Sequence, residues 1–152
     1  WAANPHTAVL GRIPGTDRFG DVERHPHNET FPGLLIFRCE GGIFYFNVDS
    51  VKEQLLARVA RHDGALRLVI FDLSSSPQVD LAGVRMLGDL HDRLAERGIA
   101  LELVEAHQQV RELLRRADGM DTRFGHVTRR TTCNMLLEEF LAQSAAGVTG
   151  RL

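Results

Sequence analysis

The stretch Asp72-Leu-Ser-Ser-Ser-Pro-Gln-Val-Asp-Leu-Ala-Gly83 sets three hydroxyls between two carboxylates and then enters a pattern of helical period. Ser74, Ser75 and Ser76 are candidates to donate to an anion or to carry a phosphoryl group. Asp80, Leu81, Ala82 and Gly83 would form the first turn of the helix, whose unpaired N–H groups and positive dipole end favour negative charge. Gly83 would let a ligand approach the backbone, and Arg85 would add a cation. A nucleotide phosphate or small anion is therefore one use of Ser74 to Arg85. The other is purely local: Asp80 caps the helix and the serines satisfy a turn, with Asp72 and Asp80 repelling any anion.

Other chemistry is hard to place. Gly15-Thr-Asp-Arg-Phe-Gly20 has the outer glycines of a phosphate loop, but Asp21-Val22 stands where Lys-Ser/Thr would hold phosphate and magnesium. No Gly-x-Ser-x-Gly elbow or Cys-His arrangement supplies a nucleophile, so no catalytic residue is assigned. Cys39 and Cys133 lie far apart without metal-ligand spacing, and His25-Pro26-His27 sits in a Pro- and Asn-rich stretch, so neither a disulfide framework nor a metal is expected. Arg111, Arg115, Arg116, Arg123, Arg129 and Arg130 outnumber Glu112, Asp118 and Asp121. They suit either a solvated face or a surface for acidic headgroups or a protein partner.

Positioning these residues requires a scaffold that the pattern outlines. Thr7 to Ile13 reads as a strand, and Pro14 to Gly33, with three of the five prolines, as a long loop. Leu34 to Glu40, Gly41-Gly42 and Ile43 to Asn47 predict an antiparallel hairpin. Val48, Val51, Leu55 and Val59 predict a helix, with Ser50 and Glu53 as a capping box and Gly64 as its stop. Leu66 to Phe71 suits a central strand covered on both faces. A helix on Leu81, Val84, Leu87, Leu90 and Leu94 follows, ended by Gly98, then a strand over Ile99 to Val104. Two more helices are expected, His107 to Ala117 on Val110, Leu113 and Leu114, and Thr131 to Ala142 on Met135, Leu136, Phe140 and Leu141, with residues 147–152 as a frayed tail.

Strand-helix-strand repeats demand right-handed parallel crossovers, so the expected fold is α/β: a mixed β-sheet of four to five strands with about four helices packed on it. A length of 152 residues suits a single domain, 1–152. A formal charge of -2 argues against nucleic acid as a partner. No run approaches the about 18 to 20 apolar residues of a membrane span, so a chain soluble by itself is expected. Opening on Trp1 rather than Met points to a piece of something longer.

At Asp72 to Gly83 the sequence resembles the STAS domain, whose pattern is strand, hydroxyl-rich loop, aspartate, two residues, glycine, amphipathic helix. STAS domains include bacterial anti-sigma-factor antagonists and the cytoplasmic domains of SulP-type sulfate and anion transporters. The resemblance runs from about Thr7 to Phe140. Val9 to Val22, Pro32 to Arg38 and Phe44-Tyr-Phe-Asn47 look like the transporter branch, with its long first loop and aromatic-Asn ending to the third strand. The antagonists' phosphorylated serine directly precedes the glycine; here that position is Ala82, which has no hydroxyl.

The resemblance implies a non-catalytic regulatory and assembly domain on the cytoplasmic side of the inner (plasma) membrane. It implies no cofactor, and as partners the transmembrane portion of the same transporter, a second copy or another protein, and a nucleotide or small anion at Ser74, Ser75, Ser76, Asp80, Leu81, Ala82, Gly83 and Arg85. The loop over Pro14 to Gly33 is expected to dock on the membrane portion or on a second copy. The alternative is a free-standing anti-sigma-factor antagonist acting through protein contacts.

Overall fold

β4 (Leu68–Asp72) occupies the middle of the molecule because its run is apolar on both sides, and Val69, Ile70 and Phe71 are fully buried. In the computed structural model, which describes residues 3–149, it pairs in parallel with β3 (Leu34–Cys39) and β5 (Ala100–Val104). β1 (Thr7–Arg12) joins the outer edge of β3 antiparallel, and β2 (Phe19–Asp21) joins β1, giving the order β2-β1-β3-β4-β5.

Helices α1 (Val48–Arg61) and α2 (Leu81–Glu96) are the crossovers between the parallel strands. They pack on one face with α3 (Gln108–Arg116) and α4 (Met120–Phe124), burying Phe37, Phe71, Leu55 and Leu87 among others. α5 (Cys133–Thr149) covers the other face through Cys133, Leu137 and Phe140. The fold is thus the mixed sheet expected, with five strands and five helices among the described residues.

Several local expectations fail. The Gly41-Gly42 hairpin does not form: both edges of β3 are already taken by β1 and β4, so Ile43 to Asn47 cannot return beside it. Only Gly41 takes a positive φ, 112°, and residues 41–43 instead run along the loop after β4, with Gly41 N–H donating to Ser75 O (2.8 Å) and Ile43 N–H to Gln78 O (3.1 Å). Asn47 then turns the chain: its Oδ1 accepts from Phe44 N–H (2.8 Å) and its Nδ2 donates to Gly42 O (2.9 Å).

α1 consequently begins at Asn47, ahead of the predicted capping box, and the Ser50 hydroxyl donates to Asn4 Oδ1 (2.5 Å) rather than to its own helix. Residues 14–33 are not a structureless loop either. Gly15, at φ 75°, turns β1 into β2, and Glu29 bridges back to Arg12.

Leu81 and Met135 point to solvent although the sequence pattern puts them on buried stripes. α4 is too short for periodicity to reveal it; Arg123 ties it to Asp92 of α2 at 2.6 and 2.8 Å. The hydrogen bond from Arg123, then that from His91, holds the Asp92 carboxyl well below the usual carboxylate range. Its help to the fold is therefore present above the unfolded value, about pH 4, and fades as the pH falls toward the depressed one. α5 continues to Thr149, through the start of the predicted frayed tail; residues 150–152 of that tail lie outside the described residues.

Candidate functional site

The segment from Asp72 to Gly83 leaves the carboxyl end of β4, where open α/β sheets present their loops. Asp72 is buried, and its Oδ1 accepts from Ser74 N–H (2.8 Å), which starts the turn. Ser76 is wholly buried, and its hydroxyl donates to Gly41 O (2.8 Å). That hydroxyl is a structural tie and is closed to a kinase. Ser74 is exposed and Ser75 half-buried, so these two alone of the three serines present hydroxyls.

Asp80 caps α2, Oδ1 accepting from Gly83 N–H (2.9 Å), while Oδ2 accepts from Tyr45 N–H (2.9 Å). The negative charge suited to the helix dipole is thus supplied from within the chain. A Cβ on Gly83 would lie 2.5 Å from Val79 Cγ1 and 2.9 Å from Ile43 O, so this glycine is demanded by close packing against the residues 41–43 segment. Ala82 is half-buried, and Leu81 and Arg85, one turn apart, share the exposed face of α2. Of the eight candidate residues, Asp80, Gly83 and Ser76 are therefore bound up in the fold. Ser74, Ser75, Leu81 and Arg85 form its reachable part.

Gln109 of α3 and His107, the residue just before that helix, brace this loop and carry no sequence signal. Gln109 clamps the Val79 peptide from both sides, Nε2 donating to Val79 O (3.0 Å) and Oε1 accepting from Val79 N–H (3.1 Å). His107 Nε2 lies 2.9 Å from Ser74 O. On the other side of the loop the turn before α1 exposes Tyr45 by 76% and Phe46 by 46%, with the Phe46 ring stacked on Phe44 at 5.5 Å. Leu81, which follows the Asp80 that accepts from Tyr45 N–H, is itself 42% exposed.

Behind the loop a cleft of about 290 Å³ lies between Arg38, Asp72, Ser74 and Glu105 and the start of α5. Its acids, Asp17, Asp72 and Glu105, outnumber Arg18 and Arg38, which does not favour an anion. Burial pushes the Cys39 thiol up to about 11 and, with Asp72 and Glu105 adding to it, raises Cys133 further, so neither thiol is a nucleophile at neutral pH.

Known proteins resemble this chain in sequence and fold. The family model for the STAS domain matches residues 25–125. Sulfate transporter 2.1 of Arabidopsis thaliana is 34% identical over 134 residues, which cover 81% of this chain and 20% of that protein. A probable sulfate transporter of Mycobacterium tuberculosis is 29% identical over 119 residues, 78% of this chain and 21% of that one. The STAS domain of a SulP transporter from Vibrio cholerae superposes with a TM-score of 0.59 at 16% identity, over 82% of this chain and 94% of that one. The murine solute carrier 26 family member A9 anion transporter reaches 0.76 at 21% identity, over 92% of this chain and 22% of its own. The chain spans about a fifth of the length of these transporters. A parallel β3-β4-β5 core, a hydroxyl-bearing loop closed by an aspartate cap and the match across residues 25–125 make one conclusion of fold and sequence: the chain belongs to the STAS domain family, on its SulP transporter branch.

Proposed function

We propose that this chain is a non-catalytic regulatory and assembly domain of a SulP-type sulfate or other anion transporter, held on the cytoplasmic side of the membrane. The observation that carries the proposal is the aromatic patch of Tyr45 and Phe46 beside the amino end of the domain. Asn4 Oδ1 accepts from Ser50 Oγ at 2.5 Å and Pro5 O accepts from Gln54 Nε2 at 3.1 Å, so the first described residues lie along the opening turns of α1. A polypeptide joined ahead of them would reach the domain next to Phe44, Tyr45 and Phe46. Among the described residues no helix is long and apolar enough to cross a membrane.

In the complete transporter, Tyr45→Ser combined with Phe46→Ser is expected to lower sulfate uptake several-fold at equal expression. The melting temperature of the isolated chain should barely move, because exposed side chains contribute within about 0.5 kcal/mol of neutral. Unchanged uptake would remove the docking role.

A nucleotide or small anion at the Ser74 to Arg85 loop is the finer part of the proposal. What supports it is the placement of Ser74 and Ser75 on a carboxyl-end loop and of Arg85 on the exposed face of the helix that follows it. Titration with millimolar nucleotide or sulfate is expected to shift the amides of Ser74, Ser75 and Arg85 while those of Ser76 and Gly83 stay in place. Shifts confined to other surfaces would leave Asp80 as a cap and nothing more.

A further inference from the structure

β1 and β3 pair only from Thr7↔Cys39 to Val9↔Phe37. The same edge of β1 is next engaged at Arg12, where Glu29 makes both backbone hydrogen bonds, 2.9 and 2.7 Å. Between these two pairings residues 30–32 swing out of the sheet, and a cleft of about 540 Å³ opens where the strands part. That is within the size range of small-molecule sites, roughly 300 to 1,000 Å³.

The lining divides by chemistry. Val9, Leu35 and Pro32 are apolar, and the last turn of α1 and the residues beyond it add Arg58, Arg61, His62 and a single acid, Asp63. Arg58 Nη1 holds Glu23 Oε1 at 3.2 Å, a surface pair with Glu23 largely exposed and therefore easily exchanged. Arg61 is exposed and has no ion-pair partner among the described residues. His62 Nε2 is shut off from solvent and has no hydrogen-bond partner among them. The two arginines also offset the negative end of the α1 dipole, which would otherwise repel an anion here.

We propose that this cleft binds a medium-chain organic carboxylate, with its hydrocarbon along Val9, Leu35 and Pro32 and its carboxylate between Arg58 and Arg61. The carboxylate takes over the part that Glu23 plays toward Arg58, and the apolar tail fills the gap between the strands. The site lies apart from the Ser74 to Gly83 loop and from Tyr45 and Phe46, so it stands or falls independently of the docking and anion proposals.

Octanoate titrated into the 152-residue chain should saturate with a Kd on the order of 10⁻⁴ M. The amides of Leu35, Arg61 and His62 should move together. Octan-1-ol, equal in length but uncharged, should bind about tenfold more weakly, and Arg61→Gln should weaken octanoate about fivefold. Non-saturating shifts, shifts centred on Tyr45 and Phe46, or equal binding of octanol and octanoate would overturn the assignment. If Arg61→Gln lowers the melting temperature, the octanoate-octanol comparison on the parent chain decides by itself.

Discussion

Gly83→Ala should destabilise the domain by about 2–3 kcal/mol, lowering the melting temperature by roughly 5–10 °C. The added methyl would sit 2.5 Å from Val79 Cγ1 and 2.9 Å from the Ile43 carbonyl oxygen. Neither neighbour can retreat. Val79 is buried, and its peptide is clamped by Gln109; the Ile43 carbonyl accepts from Asp80 N–H at 3.0 Å. Relief would have to come from α2 moving away from the residues 41–43 segment, which also strains the Asp80 cap. Gly147→Ala is the control, because a Cβ there meets open space on a helix and the alanine should be neutral or slightly stabilising. Thermal melts of both variants check the claim, and equal melting temperatures would show that the helix contact is softer than its geometry.

Asn47→Ala should cost about as much, 2–3 kcal/mol, for a different reason. Asn47 is 2% exposed, and its amide group satisfies Phe44 N–H and Gly42 O, half-buried partners that alanine would leave unpaired. Since this side chain closes the turn that presents Tyr45 and Phe46, the variant should also lose transport beyond what its lowered stability explains. Measuring uptake at a temperature where the variant remains folded separates the two effects. Uptake equal to that of the parent under those conditions would mean that the turn's shape does not matter to the membrane portion.

The parts of this fold that could be read in advance are those where one local signal suffices. β4 declares itself by an apolar run with no polar face, and α2 by Asp80 at its cap, its spacing of leucines and Gly98 at its end. Gly41-Gly42 misleads because it announces a turn without saying whether β3 has a free edge, which depends on where β1 and β4 lie. Leu81 and Met135 mislead because helical spacing defines a stripe but not its limits against a sheet. At the site, the aspartate, the serines and the glycine were visible as a cluster of types. Their division into ties and reachable groups was not, because it rests on Gly41, Tyr45, His107 and Gln109, between 30 and 35 residues away along the chain. A buried serine and an exposed one look alike in a row of three.

The separation of β1 from β3 past Val9 also divides the domain mechanically. β2 pairs only with β1 in the sheet, and the turn at Gly15 and residues 30–32 connect the strands of that outer part. Insertions or deletions in those two connections would therefore alter the outline of the domain and its reach toward a neighbour. The β3-β4-β5 register and the loop it positions would stay as they are. A fold built this way can refit its outer contacts without rebuilding its core.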